Sequence, residues 1–125
     1  MKVTSLIKNS ERLKMIEAEG FVFLCSINDL TEGIGKKFIV NDIEIAVFKI
    51  SSEVFVLSNI CAHQQTHLIY DGFIEANFVV CPAHGWKFNL RTGKKDSGSN
   101  GLDSYPTKIF EENVFVKVHS KKLNW

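Results

Sequence analysis

Two short stretches of this chain each place a thiol and an imidazole side by side: Cys61 and His63 in CAH, and Cys81 and His84 in CPAH. Residues 64–80 separate them, so the fold has to bring two loops to one point. Each half-site is mixed, which is not the pattern of a cysteine pair facing a histidine pair. Mixed loops suit a cluster of two inequivalent irons, with each loop giving one ligand to each iron. Two readings compete with this one. Zinc accepts the same donors, although structural zinc motifs usually open with two cysteines rather than with C-x-H. The blander alternative is buried cysteines and surface histidines that bind no metal, and a lone C-x-x-H would not exclude it.

The rest of the composition narrows the setting. A chain of 125 residues is expected to form one domain, 1–125, around its own core. A net charge of +1 sets up no strong field toward nucleic acid or an anionic membrane. The paired lysines Lys36-Lys37, Lys94-Lys95 and Lys121-Lys122 read as solvated turns and ends. No apolar run approaches the roughly 20 residues of a membrane span. The N-terminus also lacks the pattern of a secretory leader, so the expected location is the cytoplasm. Three cysteines are an odd number, which argues against a disulfide framework and for thiols left to bind metal.

Along the chain, residues 1–20 stand apart as an N-terminal extension. Asn9 or Ser10 can cap a helix from Glu11 to Ala18, Leu13 and Ile16 give it a narrow apolar stripe, and Gly20 stops it. From Phe21 onward the pattern is β. Expected strands are Phe21–Cys25, Lys37–Val40, Ile43–Ile50, Val54–Leu57, Asn77–Val80 and Trp86–Leu90. A final pair, TKIF and VFVKV, splits at Glu112-Asn113. Asn41-Asp42, Ser51-Ser52 and Thr92-Gly93 supply turns. Ile43, Ile45 and Val47 alternate with Glu44 and Ala46, the mark of a half-buried strand. Lys94–Ser104 is polar and rich in Gly and Ser, and so reads as a surface loop. Short, evenly spaced strands predict an antiparallel sandwich or small barrel. Residues 59–103 look like a subdomain inserted into a β base.

At the half-sites the pattern becomes specific. The stretch LSNICAH followed by CPAHGWKFNLRTG resembles the Rieske family, and in particular its small ferredoxins, whose motif is C-x-H and then C-x-x-H after a spacer. The trailing glycine, aromatic pair and Thr-Gly turn of that family have counterparts in Gly85, Trp86, Phe88, Thr92 and Gly93. The likeness runs from about Phe21 to Val118, and residues 1–20 have no counterpart.

The resemblance implies an all-β fold of three antiparallel sheets, with a [2Fe–2S] cluster at the tip of the small subdomain. The cysteines Cys61 and Cys81 would bind the inner iron, and His63 and His84 the outer one near solvent. Pro82 would stiffen the second loop, and Gly85 would let backbone pass close to the cluster sulfurs. Gln65 stands where the family usually has glycine, so the first loop is expected to differ locally.

Other residues are expected to be structural. Cys25 should be a core cysteine, on one strand face with Phe21 and Phe23. Trp86 should pack beneath the cluster, His119 should lie on the surface, and Trp125 has no assignable role. His67 lies in the first loop off the ligand positions and is a candidate for tuning proton-coupled reduction. The helix should pack on the β base.

The implied function is that of a one-electron carrier rather than a catalyst, since no 2-His-1-carboxylate iron site accompanies the motif. A flavin-dependent NAD(P)H reductase would be the donor and a terminal oxygenase or similar oxidoreductase the acceptor, with the carrier itself a monomer. Small subunits of nitrite reductases share this fold and are one alternative; a regulatory Rieske-like module is another.

High-potential Rieske proteins of bc-type complexes carry an extra cysteine in each loop, and Ser and Tyr donors after the second. Thr66 and Ala83 stand at the cysteine positions, so a disulfide tying the loops together cannot form, and Trp86 and Phe88 stand at the donor positions and offer no hydroxyl. Fewer donors stabilise the added electron less. The midpoint potential is therefore expected near the about −150 mV end of the Rieske range. A redox titration giving a clearly positive midpoint overturns this.

Overall fold

The computed structural model describes residues 11–60, 67–82, 85–97 and 101–119. A helix, α1, spans 11–18. Ten strands follow: β1 (Val22–Ser26), β2 (Lys36–Val40), β3 (Ile43–Ile50), β4 (Glu53–Ser58), β5 (Phe73–Glu75), β6 (Phe78–Val80), β7 (Lys87–Asn89), β8 (Ser104–Tyr105), β9 (Thr107–Phe110) and β10 (Asn113–Val116). They form three antiparallel sheets, in the orders β2-β3-β4-β8, β1-β10-β9 and β5-β6-β7. This is the three-sheet, all-β architecture that the sequence implied, with the short helix at its N-terminal end.

The layers follow from which residues each strand turns to each side. Ile45 and Val47 of β3, with Val54 and Val56 of β4, face Cys25, Val114 and Val116 of the β1-β10-β9 sheet. Ala46 and Phe48 of β3 and Leu57 of β4 face the other way, onto Ile69, Val79, Cys81, Phe88, Leu90 and Leu102 around the small sheet. On the far side of the β1-β10-β9 sheet, Phe21 and Phe115 pack against Ile16 of α1, with Leu13 beside them. The helix therefore does pack on the β base. Its stripe of Leu13 and Ile16 covers a sheet face that would otherwise be wet.

Several expectations change. β3 is not half-buried: Ile45, Ala46, Val47 and Phe48 are all fully buried. Alternation along β3 sorts side chains between two cores rather than between core and water, because a sheet lies against each face. Phe21, Phe23 and Cys25 do not share one face. The β1–β10 register slips between Phe23 and Cys25, and this bulge sends Cys25 to Val114 while Phe23 stays opposite Phe115. Phe23 is 60% exposed and Cys25 5%. Leu102, inside the expected surface loop, is buried in the core of the small sheet.

Turn chemistry explains much of the register. Asn41-Asp42 and Ser51-Ser52 both have positive φ at consecutive residues, as two-residue hairpins require. The last hairpin turns on Glu111-Glu112, one residue earlier than expected, because Asn113 is already paired with Phe110. β5 was not expected from the sequence; its three residues FIE are too few to show a period.

Gly93 has φ +77 in the turn after β7, and a Cβ there would run into the Leu102 carbonyl. Gly33 has φ +76, with no atom within 4 Å of such a Cβ. Gly33→Ala should cost only the left-handed strain, about 1–2 kcal/mol. Gly93→Ala adds a backbone clash and should cost clearly more. Thermal denaturation of the two variants checks the order, and equal losses would refute it.

Candidate metal centre

The second half-site is built on the β6–β7 hairpin. Val80 at the end of β6 pairs with Lys87 at the start of β7, so residues 81–86 form the loop between them. The loop is pinched at its mouth. Cys81 N–H donates to the Trp86 carbonyl at 2.8 Å, and Gly85 N–H donates to the Cys81 carbonyl at 2.8 Å. Cys81 is 1% exposed and packs among Val79, Phe88, Leu90 and Leu102. That apolar wall keeps water from the thiol end of the loop. Gly85 has φ +75, and a Cβ there would meet nothing within 4 Å among the described residues. The left-handed backbone, not crowding by protein, explains the glycine.

Trp86 is half-buried against the same core, its ring 6.5 Å from that of Phe88 at 44°. This matches the packing role expected of it. Nothing in the sequence pairs it with Lys95, yet Lys95 Nζ lies 3.4 Å from the Trp86 ring centroid. The antiparallel bridge between Phe88 and Lys95 brings the two together. An ammonium on an indole face is the favourable sense of a cation–π contact.

The first half-site lies between Asn59, just past β4, and a 3-10 turn at Ile69–Asp71. Asn59 is fully buried. Its Nδ2 donates to Glu44 Oε2 at 2.6 Å and to the His67 carbonyl at 3.1 Å, and its Oδ1 accepts from Tyr70 N–H at 2.7 Å. His67 Nδ1 lies 3.0 Å from both Glu44 carboxylate oxygens. Burial pushes the Glu44 carboxyl up, but hydrogen bonds from Asn59 and His67 outweigh it and hold the group below its usual range. Sequence reasoning missed Asn59 and Glu44. One signal was available: Glu44 is the single acid inside the apolar run from Ile43 to Phe48.

Of the four expected ligands, Cys81 is described; Cys61, His63 and His84 lie outside the described residues, as do Gln65, Thr66, Ala83 and Trp125. Among the described residues no group of three or more His, Cys, Asp or Glu is arranged to hold a metal. The described ends of both loops nevertheless rest on one core: Ile69, just after the first, and Cys81, opening the second, belong to the same buried cluster. A buried thiol at the mouth of one loop, with the other loop anchored beside it, fits a cluster that takes a ligand pair from each.

Cys25 is not part of this arrangement. It lies in the core on the opposite side of β3 and β4, where burial raises its thiol pKa. His119 is exposed and tilts against Tyr105, ring centroids 5.0 Å apart. Among the described residues no helix is long and apolar enough to cross a membrane.

Comparison with known proteins agrees with this geometry. The ferredoxin component of the naphthalene 1,2-dioxygenase/salicylate 5-hydroxylase systems of a Ralstonia species is 30% identical over 104 residues, covering 80% of this chain and 97% of the relative. Among solved structures, the ferredoxin of carbazole 1,9a-dioxygenase from Nocardioides aromaticivorans superposes with a TM-score of 0.73 at 22% identity, covering 79% of this chain and 98% of its own. A putative NADH-dependent nitrite reductase small subunit from Mycobacterium tuberculosis reaches the same TM-score at 18% identity, covering 80% and 96%. At those identities the two structures speak for the fold alone. The family model for the Rieske [2Fe-2S] domain matches residues 20–106, a stretch that contains both half-sites. The chain belongs to the Rieske [2Fe–2S] domain family, and a [2Fe–2S] cluster is its cofactor.

Proposed function

We propose that this chain is a one-electron carrier of the ferredoxin type, its cluster held by Cys61 and Cys81 on one iron and by His63 and His84 on the other. One observation carries the reading. A relative named as a ferredoxin component matches along 97% of its own length, and this chain keeps both half-sites within the stretch that fits the family. When bound, the cluster supplies a reversible one-electron couple.

The protein's own residues have distinct tasks around it. Cys81, sealed in apolar side chains, would hold its iron in a dry environment. The hydrogen bonds that close residues 81–86 set the take-off of the second loop and would place Cys81 and His84 at a common point. His63 and His84, as ligands of the outer iron, would form the electron exit. A flavin-dependent NAD(P)H reductase is the proposed donor and a terminal oxygenase of the aromatic-ring type the proposed acceptor, with the carrier acting as a cytoplasmic monomer. The relative's description as a component of dioxygenase and hydroxylase systems supports this pairing. The nitrite reductase small-subunit reading draws on likeness of fold alone, which does not extend to function.

The dithionite-reduced protein should give a paramagnetic signal with a mean g-value below that of all-cysteine clusters. A mean at the all-cysteine value, or a colourless zinc protein from iron-replete cells, sinks the assignment. Cys81→Ala should abolish the visible absorption of the cluster, while Cys25→Ala should keep it. Reduction of cytochrome c through a flavin reductase should require the cluster-loaded protein. Copurification with a large enzyme subunit would favour the nitrite reductase small-subunit reading, and no turnover in that relay would favour a regulatory module.

A further inference from the structure

We infer that Glu44, Asn59 and His67 form a clamp that positions the first ligand loop, an inference that rests on Cys61 and His63 being cluster ligands as proposed above. Asn59 is the one buried polar side chain among the described residues. A buried amide is costly unless its donors and acceptor are all used, so its partners reveal what the fold holds together there. Those partners are not scattered. Asn59 immediately precedes the loop at 60–66, and its amide binds the His67 carbonyl and Tyr70 N–H just past it. Its main chain repeats the pattern: the Asn59 carbonyl accepts from Ile69 N–H at 3.4 Å, and Asn59 N–H donates to the Glu44 carbonyl at 3.0 Å. One residue thus joins both ends of the loop to each other and to β3.

Glu44 completes the device from the sheet side. Its side chain is 16% exposed, and its two oxygens are taken by Asn59 Nδ2 and His67 Nδ1. Both groups therefore donate to one carboxylate, and charge-assisted bonds of this kind are the stronger and more directional ones. β3 is the most deeply packed strand of the structure, so an anchor on it moves little. Fixing the ends of a short loop removes most of the closure entropy that ligand binding would otherwise have to overcome. The second loop is held by main-chain bonds between Cys81, Gly85 and Trp86. The two halves of the site thus have separate supports, and the first depends on side chains that can be replaced. Asn59, Glu44 and His67 are positioning residues in this scheme and touch no reacting atom.

The test uses the cluster-loaded protein. For Asn59→Ala, the half-life of visible absorption in a ferrous chelator should fall about tenfold, the scale on which groups supporting a metal ligand act. The reduced protein should show a broadened g-spread, and hydrogen exchange at Tyr70 N–H should accelerate. Val114→Ala, a core truncation on the other side of β3 and β4, serves as the control. It should lower thermal stability and leave the chelator half-life and g-values unchanged. Should Asn59→Ala not fold, Glu44→Ala and Glu44→Gln carry the test. The first should shed the cluster quickly, and the second, whose neutral amide oxygen still accepts from Asn59, should give a half-life between that of Glu44→Ala and the wild type. Wild-type half-life and g-values in Asn59→Ala, or in Glu44→Ala, overturn the clamp. If the unaltered protein itself lacks a mixed His/Cys signal, the ligand reading has failed rather than the clamp alone, and the two failures are told apart in the same spectrum.

Discussion

The rest of the structure hangs on the burial of β3 and β4 from both sides. Ile45 and Val47 look into one core and Ala46 and Phe48 into another, and all four are fully buried. Each large apolar side chain removed from water in this way contributes about 1.5–3 kcal/mol. A central pair of strands that is apolar on both faces cannot stand alone. It obliges the chain to place one sheet below it and the small sheet above it. The small sheet is therefore not an appendage. Its Val79 and Phe88, with Cys81 just past β6, are the lid on the upper core.

This arrangement explains why a redox site can sit on short strands. β5, β6 and β7 have three residues each, too few for a stable free-standing sheet. They are held by packing onto Ala46, Phe48 and Leu57 and by cross-ties to the base. One of these is Arg91, which donates to Glu53 at 2.8 Å while its guanidinium lies 5.2 Å from the Phe55 ring centroid. The ion pair is exposed and contributes little energy, but with the ring contact it fixes where the hairpin lies on the base. A rigid support suits electron transfer, where small ligand movements between oxidation states keep the reorganisation low.

Much of this was legible in the sequence. The β character, most strand positions, the helix and its apolar stripe, and the two half-sites could all be read from residue patterns. What escaped has identifiable causes. Alternation along β3 looked like core against water because period two cannot say what lies on the second face. The bulge in β1 is invisible to any period, since it is one extra residue between two well-formed halves. Leu102 was assigned to the surface with its Gly- and Ser-rich neighbours, and only Gly93 turning against it brings it into the core.

The sequence by itself determined the chemistry: which atoms can bind iron, that they come as two mixed pairs, and that Trp86 and Phe88 rather than hydroxyl side chains follow the second loop. These are properties of residue identity and spacing, and they do not wait on packing. Only the tertiary structure decided how the pairs are supported. Glu44 lies on a different strand, well before Asn59 and His67 in the chain, and nothing local marks it as their partner. Their meeting follows from the pairing of β3 with β4 and from the turn that brings residues 67–70 back to Asn59, because a buried amide takes its partners from whatever the fold places around it.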